Sequence, residues 1–128
     1  MALVPVLVGI GGPFKGEVHA LEHLRTYIVG RSREADISVR RTEIFRLQND
    51  NERDYDKAAK TISGKHFQIV FYNISSVEIR NLSPNGTYVD GQPVTSPLVI
   101  KDVATKSHDI TFGADAKFRL EAREAVEK

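Results

Sequence analysis

Short apolar runs broken by glycine, proline, asparagine and aspartate give the chain its rhythm. Leu3 to Ile10 is rich in Val and Ile and closes at Gly9-Ile-Gly-Gly-Pro13, the mark of a strand followed by punctuation. Val18 to Leu24 is mixed and compatible with a second strand, Thr26 to Val29 is a clear one that stops at Gly30, and Asp36 to Val39 is short. His66 to Tyr72 and Val77 to Leu82 follow, the latter with Val77, Ile79 and Asn81 on one face and Glu78, Arg80 and Leu82 on the other. Thr87 to Val89 and Gln92 to Val94 flank Asp90-Gly91, a hairpin signal that requires positive φ. Leu98 to Ile100, His108 to Phe112 and Lys117 to Ala122 complete the series. So many short strands, with so few helical stretches, predict an all-β sandwich of two sheets with loops gathered at its ends.

The rhythm fails between Arg40 and Lys60, where Asn49 to Asp56 is polar, charged and without period, although Ile44-Phe45 and Leu47 suit a short strand or turn. This is long for a connection in a compact domain. It reads either as a solvated surface insertion or as the border of a binding site that adds a specificity contact. Glu121 to Lys128 has helical composition and predicts a helix or linker. We therefore expect one domain over residues 1–122, with 40–60 as a polar loop insertion and 123–128 as a C-terminal tail.

Length and charge narrow the function classes. A chain of 128 residues suits one domain with one site. Lys plus Arg total 18 against 17 Asp plus Glu, so no bulk field draws the chain to nucleic acid or to an acidic membrane, and any anion is met locally. The absence of Cys removes disulfides, thiolate metal sites and Cys nucleophiles, and fits an intracellular, nuclear or cytoplasmic protein. The apolar run Ala2 to Ile10 is interrupted by Pro5 and Gly9, is too short to span a bilayer and lacks a basic leader. Asn-x-Ser/Thr sequences at Asn73, Asn81 and Asn85 read as turn chemistry.

Catalytic and cofactor patterns fare no better. The early glycines run Gly-Gly-Pro-Phe-Lys-Gly with no amphipathic helix behind them to hold a pyrophosphate. His19 and His23 have helical spacing but no third ligand, so we predict no metal site. With no Walker A sequence and no Gly-x-Ser-x-Gly, we predict a protein that is not an enzyme and uses no cofactor.

The candidate chemistry lies between Thr61 and Val89, with Gly30-Arg31-Ser32 as its upstream partner. Short polar side chains sit where apolar strands begin, on rigid ends suited to gripping a small anion. Arg31 offers five fixed donors and a permanent charge that can fork onto two oxygens. Ser63 carries a hydroxyl donor, and the Asn85 amide both donates and accepts.

Gly30-Arg31 with Asp36-Ile37, Ser63-x-x-His66 with Ile69, and Asn85-Gly86-Thr87-Tyr88-Val89-Asp90-Gly91 together resemble the signature of the forkhead-associated (FHA) domain. The order and spacing carry the likeness. It implies a two-sheet β-sandwich with ligand loops at one end and a phosphothreonine-containing protein or peptide as partner in phosphorylation signalling. It further implies an isolated domain that is monomeric and binds neither nucleic acid nor membrane directly. The resemblance gives phosphate contacts to Arg31 and Ser63, a clasp on the peptide backbone to Asn85, and structural roles to Gly30, His66, Gly86 and Thr87. Gly64, Lys65, Ser83 and Pro84 complete the candidate phosphopeptide-binding set.

Two positions depart from the family pattern, since Gly64 and Pro84 stand where side-chain donors are common, and Pro84 has no backbone N–H either. Lys65 either compensates with a cation or is a surface residue at a strand start. A charge-assisted bond contributes about 1.5–3 kcal/mol, so Arg31, Ser63 and one backbone amide supply roughly 5–8 kcal/mol, an affinity between about 0.1 mM and 1 μM. The alternative is an FHA-like interaction domain that binds its partner without phosphate.

Overall fold

The computed structural model describes residues 3–39, 42 and 61–124. Eleven strands run β1 (Leu3–Gly11), β2 (Val18–Ala20), β3 (Thr26–Gly30), β4 (Ile37–Ser38), β5 (Phe67–Asn73), β6 (Ser76–Asn81), β7 (Thr87–Val89), β8 (Gln92–Pro93), β9 (Leu98–Ile100), β10 (His108–Phe112) and β11 (Ala116–Glu124). They form a six-stranded sheet, β2-β1-β11-β10-β7-β8, and a five-stranded sheet, β4-β3-β5-β6-β9. The pairings are antiparallel except β3 with β4.

Alternation along the strands builds the core. On β10, His108, Ile110 and Phe112 point inward while Asp109 and Thr111 do not; on β11, Ala116, Phe118 and Leu120 are buried and Arg119 is exposed. Phe67, Ile69, Val77 and Ile79 answer them from the other sheet, all fully buried. Phe112 is central: its ring lies 5.8 Å from Phe14, 5.0 Å from Phe67 and 5.9 Å from Phe118. Rings at these separations add attraction beyond the area they bury.

Three local readings change. Glu121 to Glu124, helical by composition, is strand, because β1 offers a ladder partner for each residue from Leu3↔Glu124 to Val6↔Glu121. Tertiary pairing outweighs weak helical propensity there, and the sheet runs two residues past the expected boundary at 122. The second strand stops at Ala20 rather than Leu24, since Glu22 N–H donates to the Tyr27 hydroxyl (2.8 Å) and Leu24 turns to a φ of 63°. A short 3₁₀ turn over Gly12–Phe14 follows β1; Pro13 suits its first turn, and Phe14 drops into the core. The 40–60 insertion, Thr42 apart, and residues 125–128 lie outside the described residues.

The β7–β8 hairpin forms at Asp90-Gly91, with φ of 51° and 83°. Its aspartate also joins a polar cluster centred on a buried histidine. His108, 9% exposed, directs one ring nitrogen to Asp90 and the other to Asp102 (2.7 Å), tying the hairpin turn to the β9–β10 loop. Burial works against charge on this ring, but its hydrogen bonds to the two carboxylates outweigh that and raise its pKa. Burial likewise opposes the Asp90 charge, and the Asp109 N–H and His108 overcome it, lowering the Asp90 pKa; Lys106 adds a weaker pull.

A raised imidazole pKa stabilises the fold fully below about pH 6.5 and loses that contribution as pH rises through the raised value. The stability gap between wild type and His108→Gln should therefore be larger near pH 6 than near pH 9 in urea unfolding. A gap that widens with pH would contradict a charged His108.

Candidate functional site

One end of the sandwich gathers three connections: residues 31–36 after β3, 61–66 before β5, and 82–86 between β6 and β7. Backbone bonds stitch the first two together. Arg31 N–H donates to Ser63 O (2.9 Å), Ser32 N–H to Gly64 O (3.1 Å) and His66 N–H to Val29 O (2.8 Å). Gly30 makes this approach possible, because a Cβ there would stand 2.1 Å from the Gly64 carbonyl oxygen.

His66 fastens the third connection. Its fully buried ring accepts the Ser63 N–H at Nδ1 (3.0 Å), so the proton sits on Nε2 and donates to Gly86 O (2.8 Å). The same ring packs 5.3 Å from Phe112, which anchors the site to the core. Burial pushes the His66 pKa down, partly opposed by the bond to Gly86, and the neutral ring is the form that this geometry uses.

Above the ring the side chains form a linked set. Ser63 Oγ lies 2.6 Å from Ser83 Oγ, which also accepts the Asn85 N–H (3.1 Å). Asn85 Nδ2 donates to Thr61 O (2.8 Å), and the Oδ1 of this exposed residue accepts no hydrogen bond from the described residues. Asn81 braces the turn from below: its Oδ1 accepts from Ser83 N–H (3.1 Å) and the Thr87 hydroxyl (2.9 Å), and its Nδ2 donates to Ser83 O (2.8 Å).

Arg31, Ser63, Gly64, Lys65, Ser83, Pro84 and Asn85 thus occupy one rim, over Gly30, His66, Gly86 and Thr87. They are not equally accessible. Lys65, Pro84 and Asn85 are exposed, and Arg31, Ser63 and Gly64 are half-buried. Ser83 is 4% exposed and turned to Ser63, so its hydroxyl acts on a neighbour rather than on the surface. Among the described residues no carboxylate pairs with Arg31 or Lys65; Asp36 instead accepts the Ile28 N–H (2.8 Å) and faces Arg25. His19 and His23 lie edge-on to Phe118 and Phe71, which belong to different sheets.

Sequence reasoning passed over Asn81, Thr61 and the β10–β11 turn. Thr61 Oγ1 accepts the Ala114 N–H (2.7 Å), which brings that turn beside the site. Asn81 had a signal, since an Asn two residues before a Ser is set for an Asx turn. Thr61 had none, because its partner is 53 residues away.

The sequence profile described as "FHA domain" matches residues 27–110. The chain belongs to the FHA domain family. β1, β2 and β11 lie outside the matched span, yet supply half of this FHA domain's six-stranded sheet. Solved structures agree with the fold. The FHA domain of the CT664 protein from Chlamydia trachomatis is 25% identical at a TM-score of 0.67, covering 95% of this chain and 99% of that one. An Arabidopsis thaliana FHA domain is 20% identical at 0.69, over 99% and 92%. The N-terminal FHA domain of S. cerevisiae Rad53p, solved in complex with a phosphothreonine peptide, is 16% identical at 0.60, over 96% and 94%. No curated protein sequence matches the chain.

The stabilisation from neutral His66 is present above about pH 6.5 and is lost as pH falls through its lowered value. Long-range ¹H–¹⁵N spectra should show His66 as the Nε2–H tautomer, titrating below the ordinary imidazole value, with His108 titrating above it. The reverse order would refute both assignments. Gly30→Ala should cost about 2 kcal/mol or more in chemical unfolding, since backbone rather than a flexible side chain must move; a loss under about 0.5 kcal/mol would show that the approach is not tight.

Proposed function

We propose that this FHA domain is a phosphothreonine-dependent peptide- or protein-binding module of phosphorylation signalling. The observation that carries the reading is that Arg31, Ser63 and Asn85 come from three connections bonded into one unit, with no carboxylate on Arg31 among the described residues. A phosphothreonine side chain brings a charge near −2 and three strong acceptors. Arg31 forks onto two of them, and Lys65 on the adjacent loop adds a cation. When Ser83 donates to Ser63 Oγ, the Ser63 O–H is released to donate to phosphate. Asn85, held through its amide nitrogen, presents Oδ1 to an N–H of the peptide backbone. Binding of this kind moves no bond or proton, so no group is asked to catalyse.

Gly64 and Pro84 favour a second reading, docking without phosphate, because neither supplies a side-chain donor at the rim. Calorimetry with a matched pair of peptides, phosphorylated and unphosphorylated, separates the two. Binding should require the phosphate, and Arg31→Ala should weaken it by about 2–5 kcal/mol, with Ser63→Ala costing about 1–2 kcal/mol. Equal binding of both peptides, or an unchanged affinity in Arg31→Ala, would overturn the phosphate-dependent reading.

A further inference from the structure

Beside the Asn85-Gly86 turn lies a groove of about 410 Å³, bounded by β6, β7 and the β8–β9 connection. Its walls include Arg80, Gly86, Tyr88, Pro93 and Pro97. The aromatic wall begins at the turn itself: Tyr88 lies so close that a Cβ on Gly86 would sit 3.4 Å from its ring. Tyr88 is nonetheless 41% exposed, and Pro93 and Pro97 are exposed beside it. Arg80 contributes one cation. Among the described residues it pairs with Glu78 at 3.7 Å, and with a side chain 51% exposed its charge is weakly compensated.

The groove is thus continuous with the turn that presents Asn85, and it combines an apolar wall with a positive charge. A segment clasped at Asn85 advances about 3.3 Å per residue when extended, so its next residues on that side pass over Tyr88. We propose that this groove seats the residues flanking the phosphothreonine, and that it selects a segment carrying an apolar or proline side chain next to an Asp or Glu. Tyr88, Pro93 and Pro97 take the apolar side chain, and Arg80 takes the carboxylate. The proposal rests on the phosphothreonine reading above and names the sequence class that the same site prefers.

The test is an oriented peptide library, four degenerate residues on each side of a fixed phosphothreonine, screened against wild type, Arg80→Ala, Arg80→Glu and Tyr88→Ala. Thermal melts first establish that each variant is folded. Wild type should enrich Asp or Glu at one flanking position, Arg80→Ala should lose that enrichment, and Arg80→Glu should turn it toward Lys or Arg. Tyr88→Ala should lose the neighbouring apolar preference. For one selected acidic peptide, Arg80→Ala should weaken binding about two- to fivefold, an effect that shrinks with added salt. The same peptide with Ala at the acidic position should bind wild type and Arg80→Ala alike. Phosphate-dependent binding with identical flanking selection in wild type and both Arg80 variants overturns the groove proposal alone. Equal binding of the unphosphorylated library overturns the reading beneath it as well.

Discussion

The ring of His66 is the constraint on which the rest depends. Each of its nitrogens is committed to the backbone of a different connection, Ser63 on one side and Gly86 on the other. The backbone N–H of the same residue reaches Val29 at the end of β3, and its carbonyl accepts the Leu82 N–H. One side chain and its own peptide groups therefore fix the relative positions of three segments distant in sequence. Packed on Phe112, the ring transmits the rigidity of the core to a rim made of turns. Both ring nitrogens face backbone groups and neither is directed at the Ser63 hydroxyl, whose partner is Ser83, so in this geometry the histidine braces the loops beside its serine.

That arrangement is also compatible with the proposed anion site on a chain with a net charge of only +1. The site needs no bulk field. The proposed site needs one guanidinium with no carboxylate partner among the described residues, a hydroxyl aligned by a second hydroxyl, and a carboxamide whose donor side is already occupied. Pre-engaging the inner hydrogen bonds fixes the outer ones before any ligand arrives, which lowers the ordering cost of binding.

The two buried histidines show how the same residue type serves opposite ends by different means. His66 meets a backbone N–H and a carbonyl and is held neutral; His108 meets two carboxylates and is held charged. Burial disfavours the charged ring in both places. What differs is the compensation, with a lone carbonyl at one ring and paired aspartates at the other. The His66 end carries the candidate ligand contacts, while the His108 cluster closes the hairpin turn onto the β9–β10 loop.

Much of the molecule was legible in the chain. Strand existence, the Asp90-Gly91 hairpin and the all-β class follow from alternation and turn residues, which are local properties. Arg31, Ser63 and Asn85 stood out because their residue types and neighbours are local as well. What the chain by itself could not supply were properties of partners far apart in sequence. Glu121 to Glu124 became strand because β1 was there to pair with it, and Gly30 was required because a carbonyl from residue 64 crosses it. Ser83 turned inward because Ser63 lay 2.6 Å away, across 20 residues of chain. Amino-acid identity determined which groups this protein can offer to a ligand. Tertiary contact alone decided which of those groups face outward, because each buried donor and acceptor had first to find its partner in another segment.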